Sequence, residues 1–91
     1  MKKVIEIDGH NILSSSDFHR EIKQKMDFPD YYGNNLDALW DCLSGHADTD
    51  VRLIWKNHAI SKEKLGADYA DIIEIFNDLK VECPEFEMTL D

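Results

Sequence analysis

The sequence predicts a small α/β domain, a three-stranded parallel sheet packed by about four helices, and two patterns lead to this prediction. Three short apolar runs, bounded by turn-forming residues, have the length and alternation of β-strands. Between them, apolar residues recur every three or four positions, as on one face of a helix. Strands separated by helices favour parallel pairing, because parallel neighbours need crossover connections. With 91 residues, 43% of them hydrophobic, the chain is expected to form one domain over residues 1–91.

Each predicted strand has clear boundaries. The apolar positions of the three strands are Val4 with Ile5 and Ile7, Val51 with Leu53 and Trp55, and Phe86 with Met88 and Leu90. Asp8 and Gly9 close the first strand as a turn, and Pro84 separates the third from the helix before it. The pattern leaves the order of the strands open.

The first predicted helix has one buried stripe. Phe18, Ile22 and Met26 lie four residues apart, and Ser14 stands with Asp17 at the spacing of a capping box. A brief helical turn is predicted over residues 61–65.

Two further helices are predicted on either side of the second strand. One follows Asn35 and ends at Gly45, and the other is capped by Asp68. Their apolar positions are Leu36, Leu39, Trp40 and Leu43 in the former, and Tyr69, Ile72, Ile73, Phe76 and Leu79 in the latter.

The charge and cysteine content exclude several classes of function. Ten Lys and Arg against nineteen Asp and Glu residues give a net charge of −9, which repels nucleic acid and anionic membranes. No stretch approaches the ~20 apolar residues of a membrane span, and Glu6 and Asp8 interrupt the N-terminal run before it resembles a signal peptide. Cys42 and Cys83 have no metal-binding spacing. A cytoplasmic protein with free thiols, no metal and no cofactor is expected.

The surplus acid is concentrated in one window. Residues 26–51 contain six aspartates and no Lys or Arg, so two thirds of the excess negative charge lies there. Surplus acid is often explained by solubility alone. Its concentration in one segment favours a binding surface for a basic partner.

Two aspartates of this window occupy positions that folding does not explain. Asp37 and Asp41 are four residues apart on the second helix, so their carboxylates share a face and repel by about 0.2–0.5 kcal/mol. Asp41 also lies in the last turn, where the helix dipole disfavours negative charge. Tyr31 and Trp40 beside them are residue types typical of interface hot spots, although Trp40 would serve equally well as core.

These residues belong to a segment that resembles a known family. Residues 29–43, PDYYGNNLDALWDCL, resemble the binding segment of the barstar family, intracellular inhibitors of barnase-like ribonucleases. Residues 1–3, 16–19 and 76–80 are similar to it as well, so the resemblance covers essentially the whole chain. It implies a three-stranded parallel sheet packed by helices. It also implies an immunity protein that blocks a basic ribonuclease in a 1:1 complex, without catalysis of its own.

The resemblance further implies the contact residues. Asp41 would stand where a substrate phosphate binds, because a carboxylate accepts bidentate hydrogen bonds from Arg as phosphate does. His46 stands where the family has an aromatic residue and adds a group that titrates near pH 6.5, and Asp78 stands where the family has glutamate. The expected partner-binding residues are Tyr31, Asn35, Leu36, Asp37, Trp40, Asp41, Gly45, His46 and Asp78.

Two other functions compete with inhibition. An enzyme would use Asp37 and Asp41 as an acid/base pair, or with His46 as a metal site. Against it, the chain has no Ser-His or Cys-His arrangement, phosphate-binding glycine loop or HExxH motif. An acidic adaptor would bind a different basic protein, since charge complementarity alone does not select a partner.

Overall fold

The predicted parallel sheet with four helices is confirmed. The computed structural model describes residues 2–45 and 47–91. Its strands are β1 (Lys3–Asp8), β2 (Val51–Lys56) and β3 (Glu87–Leu90), and its helices are α1 (Ser15–Lys25), α2 (Leu36–Gly45), α3 (His58–Leu65) and α4 (Ala67–Glu82). A 3-10 helix, Gly9–Asn11, follows β1. The strand order is β1-β2-β3 with both pairs parallel, so α1 and α2 lie in the first crossover and α3 and α4 in the second.

One face of the sheet is buried and the other is open. The register pairs Leu53 with Ile5 and Trp55 with Ile7, and all four side chains are buried. The alternate positions point to solvent, as the period of a strand requires. The open face carries the cross-strand ion pairs Arg52–Glu87 and Lys56–Glu6. These charged side chains are exposed, so the open face is a solvated surface. Exposed ion pairs contribute only about 0–1 kcal/mol each.

The core lies between the buried face of the sheet and the helices. Trp55 is fully buried at its centre, where its ring stacks on Phe18 at a centroid distance of 5.5 Å and its indole N–H donates to Ser61. The predicted stripes of α1 and α4 are confirmed as buried, except that Ile73 is half-buried. The buried residues of α1, α2 and α4 form one cluster with the inner face of the sheet.

Two helix boundaries differ from the prediction. α3 is eight residues long and not a brief turn over residues 61–65. Its buried residues are Ser61 and Leu65, so it lacks the apolar stripe that would have indicated its length. Asp68 is not the cap of α4, because Gly66 (φ 58°) both ends α3 and precedes α4, which leaves Asp68 in the first turn.

Gly9 marks the closest approach between two backbone segments. A Cβ atom at this position would lie 2.0 Å from the carbonyl oxygen of Asn57 and 3.0 Å from Oγ of Ser61. Asn57 itself has left-handed backbone angles (φ 54°) at the junction of β2 and α3. The Ser61 hydroxyl donates to the carbonyl of Gly9 at 3.3 Å, which ties α3 to the end of β1.

No helix in the described part of the chain is long and apolar enough to cross a membrane.

Candidate functional site

Asn35 fixes the start of α2. Its side-chain Oδ1 accepts a hydrogen bond from the backbone N–H of Ala38 at 2.8 Å, and its carbonyl accepts from Leu39 at 2.9 Å, which is the geometry of an N-cap. Its Nδ2 donates to the carbonyl of Gly33 at 3.2 Å. Asn34 before it has left-handed backbone angles (φ 54°), which asparagine tolerates better than most residues. The predicted start of the second helix is confirmed.

The two tyrosines of the preceding loop point in opposite directions. Tyr32 is buried, packs on Phe28 at a ring distance of 4.9 Å, and shares a hydrogen bond with Nδ1 of buried His19 at 2.6 Å. Tyr31 is 73% exposed. The loop is therefore anchored to α1 through Tyr32, and Tyr31 lies at the surface five residues before α2 begins.

An open depression lies where α2 packs against α4. The residues that line it are Leu36, Asp37, Trp40, Asp41, Ile75 and Asp78. The three apolar side chains are half-buried and the three aspartates are exposed, so the depression has an apolar floor and an acidic rim. The structure thus brings together five of the predicted site residues, and it brings Asp78 of α4 to the same place as the two aspartates of α2.

The acidic rim has no ion-pair partner among residues 2–45 and 47–91. The ion pairs in this part of the chain lie on the open face of the sheet, around Lys2, in α1 and at Asp8. None of them involves Asp37, Asp41 or Asp78. No group of three His, Cys, Asp or Glu side chains in these ranges is arranged to hold a metal ion. An apolar floor under separated carboxylates suits a cationic side chain with an apolar stem, as in Arg or Lys.

Three predicted residues lie towards the C-terminal end of α2 or just after it in the sequence. Gly45 is the last residue of α2, and a Cβ atom added to it would meet nothing within 4 Å. The fold therefore gives no reason for glycine there. Trp40 packs against the core and also lines the depression. The core role considered for it is confirmed, and its contact with a partner remains a prediction. His46 lies outside the described residues.

The two cysteines are free thiols. Burial, and then the charge of Asp41, raises the pKa of the Cys42 thiol. A raised pKa makes a thiol less reactive at neutral pH, so Cys42 acts as a packing residue of α2.

Two features of the site were not predicted. Ile75 lies on α4 outside the buried stripe, between Glu74 and Phe76. An apolar residue outside the predicted buried stripe, next to the exposed Glu74, is the signal that could have indicated it. The buried bond between His19 and Tyr32 had no sequence signal, because it joins α1 to a loop 13 residues away.

His19 makes the stability of the protein depend on pH. Burial lowers the pKa of His19 from its ordinary value of 6.5, and this effect outweighs the opposite effect of the Asp68 charge. In the pH range between the folded and unfolded pKa values the unfolded chain binds more protons, so stability rises with pH there. The stabilisation is complete above about pH 6.5 and is lost as the pH falls through the folded pKa.

We therefore expect the free energy of unfolding to fall from about pH 7 to about pH 5.5, by at most about 1.4 kcal/mol per pH unit for one proton. Urea unfolding at several pH values measures it, and His19→Gln is expected to remove the slope. An equal slope in the variant would assign the pH dependence to another group.

Hydrogen bonds keep the pKa values of Asp8, Asp17 and Glu85 below their ordinary range, so these carboxylates affect stability only at lower pH.

The resemblance of residues 29–43 to the barstar family extends over nearly the whole chain. Residues 2–90 match the sequence model of the family described as "Barstar (barnase inhibitor)". Over 92 aligned positions the chain is 41% identical to the Bacillus subtilis (strain 168) protein named "Putative ribonuclease inhibitor YrdF", and the alignment covers all of both chains. With a match over nearly its whole length and the parallel sheet and four helices described above, the chain belongs to the barstar family, and it is an inhibitor protein and not an enzyme.

Proposed function

We propose that the chain inhibits a basic ribonuclease of the barnase type by covering its active site with α2, the loop before it and Asp78 of α4. The observation that carries this proposal is the depression between α2 and α4, with three carboxylates that have no cation beside them in the described part of the chain. Membership of a family described as barnase inhibitors supports a ribonuclease as the partner. The name of the Bacillus subtilis relative, which describes a ribonuclease inhibitor, supports it as well.

The unpaired carboxylates favour binding because they break no internal ion pair when they meet a cation. A buried ion pair stabilises a complex only when the attraction exceeds the cost of desolvating both charges. Here the complex forms new pairs and loses none at Asp37, Asp41 or Asp78. Asp41 takes the place of a substrate phosphate among the Arg and His side chains of the enzyme, and accepts charge-assisted hydrogen bonds from them.

The apolar floor and the aromatic residues give the same face its contact area. Leu36, Trp40 and Ile75 lie below the carboxylates, where they would contact the methylene stem of an Arg or Lys. Tyr31 projects from a loop that Tyr32 anchors. Because Tyr32 and Asn35 hold this loop by hydrogen bonds within the free chain, less conformational entropy is lost on binding. Inhibition is then steric and electrostatic, with no covalent step.

Titration of the purified protein against barnase tests the proposal. We expect RNA cleavage to fall linearly with added protein and to end at a 1:1 ratio. Calorimetry on the same pair gives the stoichiometry independently. A variant with Asn at positions 37, 41 and 78 keeps the shape of the face, removes its charge, and is expected not to inhibit.

Two outcomes would contradict inhibition of this enzyme class. Unchanged cleavage at micromolar protein, with no heat of binding, would exclude barnase-type ribonucleases as partners. Binding without loss of cleavage would instead indicate an acidic adaptor that contacts the enzyme away from its active site.

A further inference from the structure

We propose that Asn35 is a positioning residue, which holds α2 and its preceding loop in the orientation that presents Asp37 and Asp41, and that it does not act by contacting the partner. This inference rests on the proposed function. The family resemblance implied a contact role for Asn35, and the hydrogen bonds of its side chain point to a different one.

Both ends of the Asn35 carboxamide are engaged within the chain. Oδ1 accepts from the backbone N–H of Ala38 at 2.8 Å, on the helix side. Nδ2 donates to the carbonyl of Gly33 at 3.2 Å, on the loop side. One planar group therefore joins the loop that carries Tyr31 to the helix that carries Asp37 and fixes the angle between them.

The chemistry of the junction selects asparagine. Ionised aspartate supplies the oxygen that caps a helix but has no hydrogen to donate to the Gly33 carbonyl, and serine has one hydroxyl in place of the separate acceptor and donor of a carboxamide. Glutamine has the same carboxamide, but its longer side chain makes it a poor N-cap residue. The two functional groups of Asn35 can therefore be tested separately by substitution.

Loss of the cap would act on the site more than on the fold. Leu36 and Asp37 are the first two residues of α2 and both line the depression. Without the cap, the N–H of Ala38 has no partner in the first turn, and this turn opens more often. The apparent affinity is the intrinsic affinity multiplied by the fraction of free molecules in which the turn is closed. The domain as a whole remains folded.

Three variants of the full chain separate positioning from contact, with barnase as the probe. We expect Asn35→Ala to weaken binding about three- to tenfold, mainly through slower association because fewer free molecules hold the first turn closed. Asn35→Ser keeps a capping oxygen but not the carboxamide N–H, and is expected to recover part of the affinity. Asn35→Gln keeps the amide chemistry without the cap and is expected to resemble Asn35→Ala. A direct contact predicts the reverse order of the last two, and that result would overturn the inference.

Hydrogen exchange of the Ala38 amide gives a readout that needs no partner. We expect faster exchange in Asn35→Ala and Asn35→Gln than in the wild type and in Asn35→Ser, at an unchanged fraction of folded protein. Equal protection of this amide in all four proteins would overturn the inference. If wild-type protein fails to bind barnase, the proposed function fails. The exchange data then decide on their own whether Asn35 holds the junction.

Discussion

Replacing Asp41 with alanine is expected to weaken binding to barnase by about 2–5 kcal/mol, which corresponds to roughly 30- to 5,000-fold. This range comes in part from the barnase–barstar complex itself. The physical reason is that desolvated Arg and His side chains of the enzyme lose their counter-charge. Most of the loss should appear as faster dissociation, measured by stopped-flow competition.

Two matched variants show whether the loss comes from Asp41 at this position. Asp71→Ala removes one negative charge from an exposed position of α4 that does not line the depression, and should change the affinity less than threefold. Asp41→Asn keeps the shape of the side chain and should lose nearly as much affinity as Asp41→Ala. A loss under about 1 kcal/mol in both Asp41 variants would make Asp41 a peripheral charge.

The same Asp41→Ala substitution is expected to stabilise the free protein by about 0.5 kcal/mol, because it removes repulsion from Asp37 and a negative charge near the helix C-terminus. Urea unfolding measures this effect. Opposite signs for stability and affinity are typical of a residue kept for binding.

Replacing Gly9 with alanine is expected to destabilise the fold by about 3 kcal/mol or more. The added Cβ would lie 2.0 Å from the carbonyl oxygen of Asn57, and a backbone atom cannot rotate away as a side chain does. Asn57 is also constrained by its left-handed backbone angles and by the start of α3. Urea unfolding, or loss of far-UV circular dichroism if the variant does not fold, measures the effect.

Gly45→Ala is the matched control for this prediction. It adds the same methyl group at a helical position where nothing lies within 4 Å. Alanine is favoured over glycine in a helix, so this variant is expected to be as stable as the wild type or up to about 1 kcal/mol more stable. Equal unfolding midpoints for the two variants would mean that the approach of Gly9 to Asn57 relaxes at little cost.

The elements with regular apolar spacing could be predicted from the sequence. Phe18, Ile22 and Met26 indicated α1, and the alternation around Arg52 indicated β2. α3 was underestimated because its buried positions are only Ser61 and Leu65. The cap of α4 was assigned to Asp68 because capping chemistry is visible in a sequence, whereas the positive φ of Gly66 is not. The strand order depends on how the two crossovers pack, and local spacing carries no information about that.

The acidic face could be predicted only along one helix. The spacing of Asp37 and Asp41 placed both carboxylates on the same side of α2, and the structure agrees. That Asp78 joins them, and that Ile75 forms part of the floor, depends on how closely α4 approaches α2. Such an approach is set by the whole core, so it becomes visible only in three dimensions.

The position of the depression across two crossovers has a consequence for folding. Asp37 and Asp78 are 41 positions apart in the sequence and belong to the β1–β2 and β2–β3 connections, respectively. Each connection and the two strands that it joins form one unit. A chain in which only the first unit, from β1 to β2, has folded carries the carboxylates of α2, but it lacks α4 as the opposite wall of the depression. Under the proposed function, binding competence is therefore acquired only when both crossovers have closed. A cation bound between α2 and α4 links the two units, and by mass action it shifts the folding equilibrium of the whole domain towards the native state.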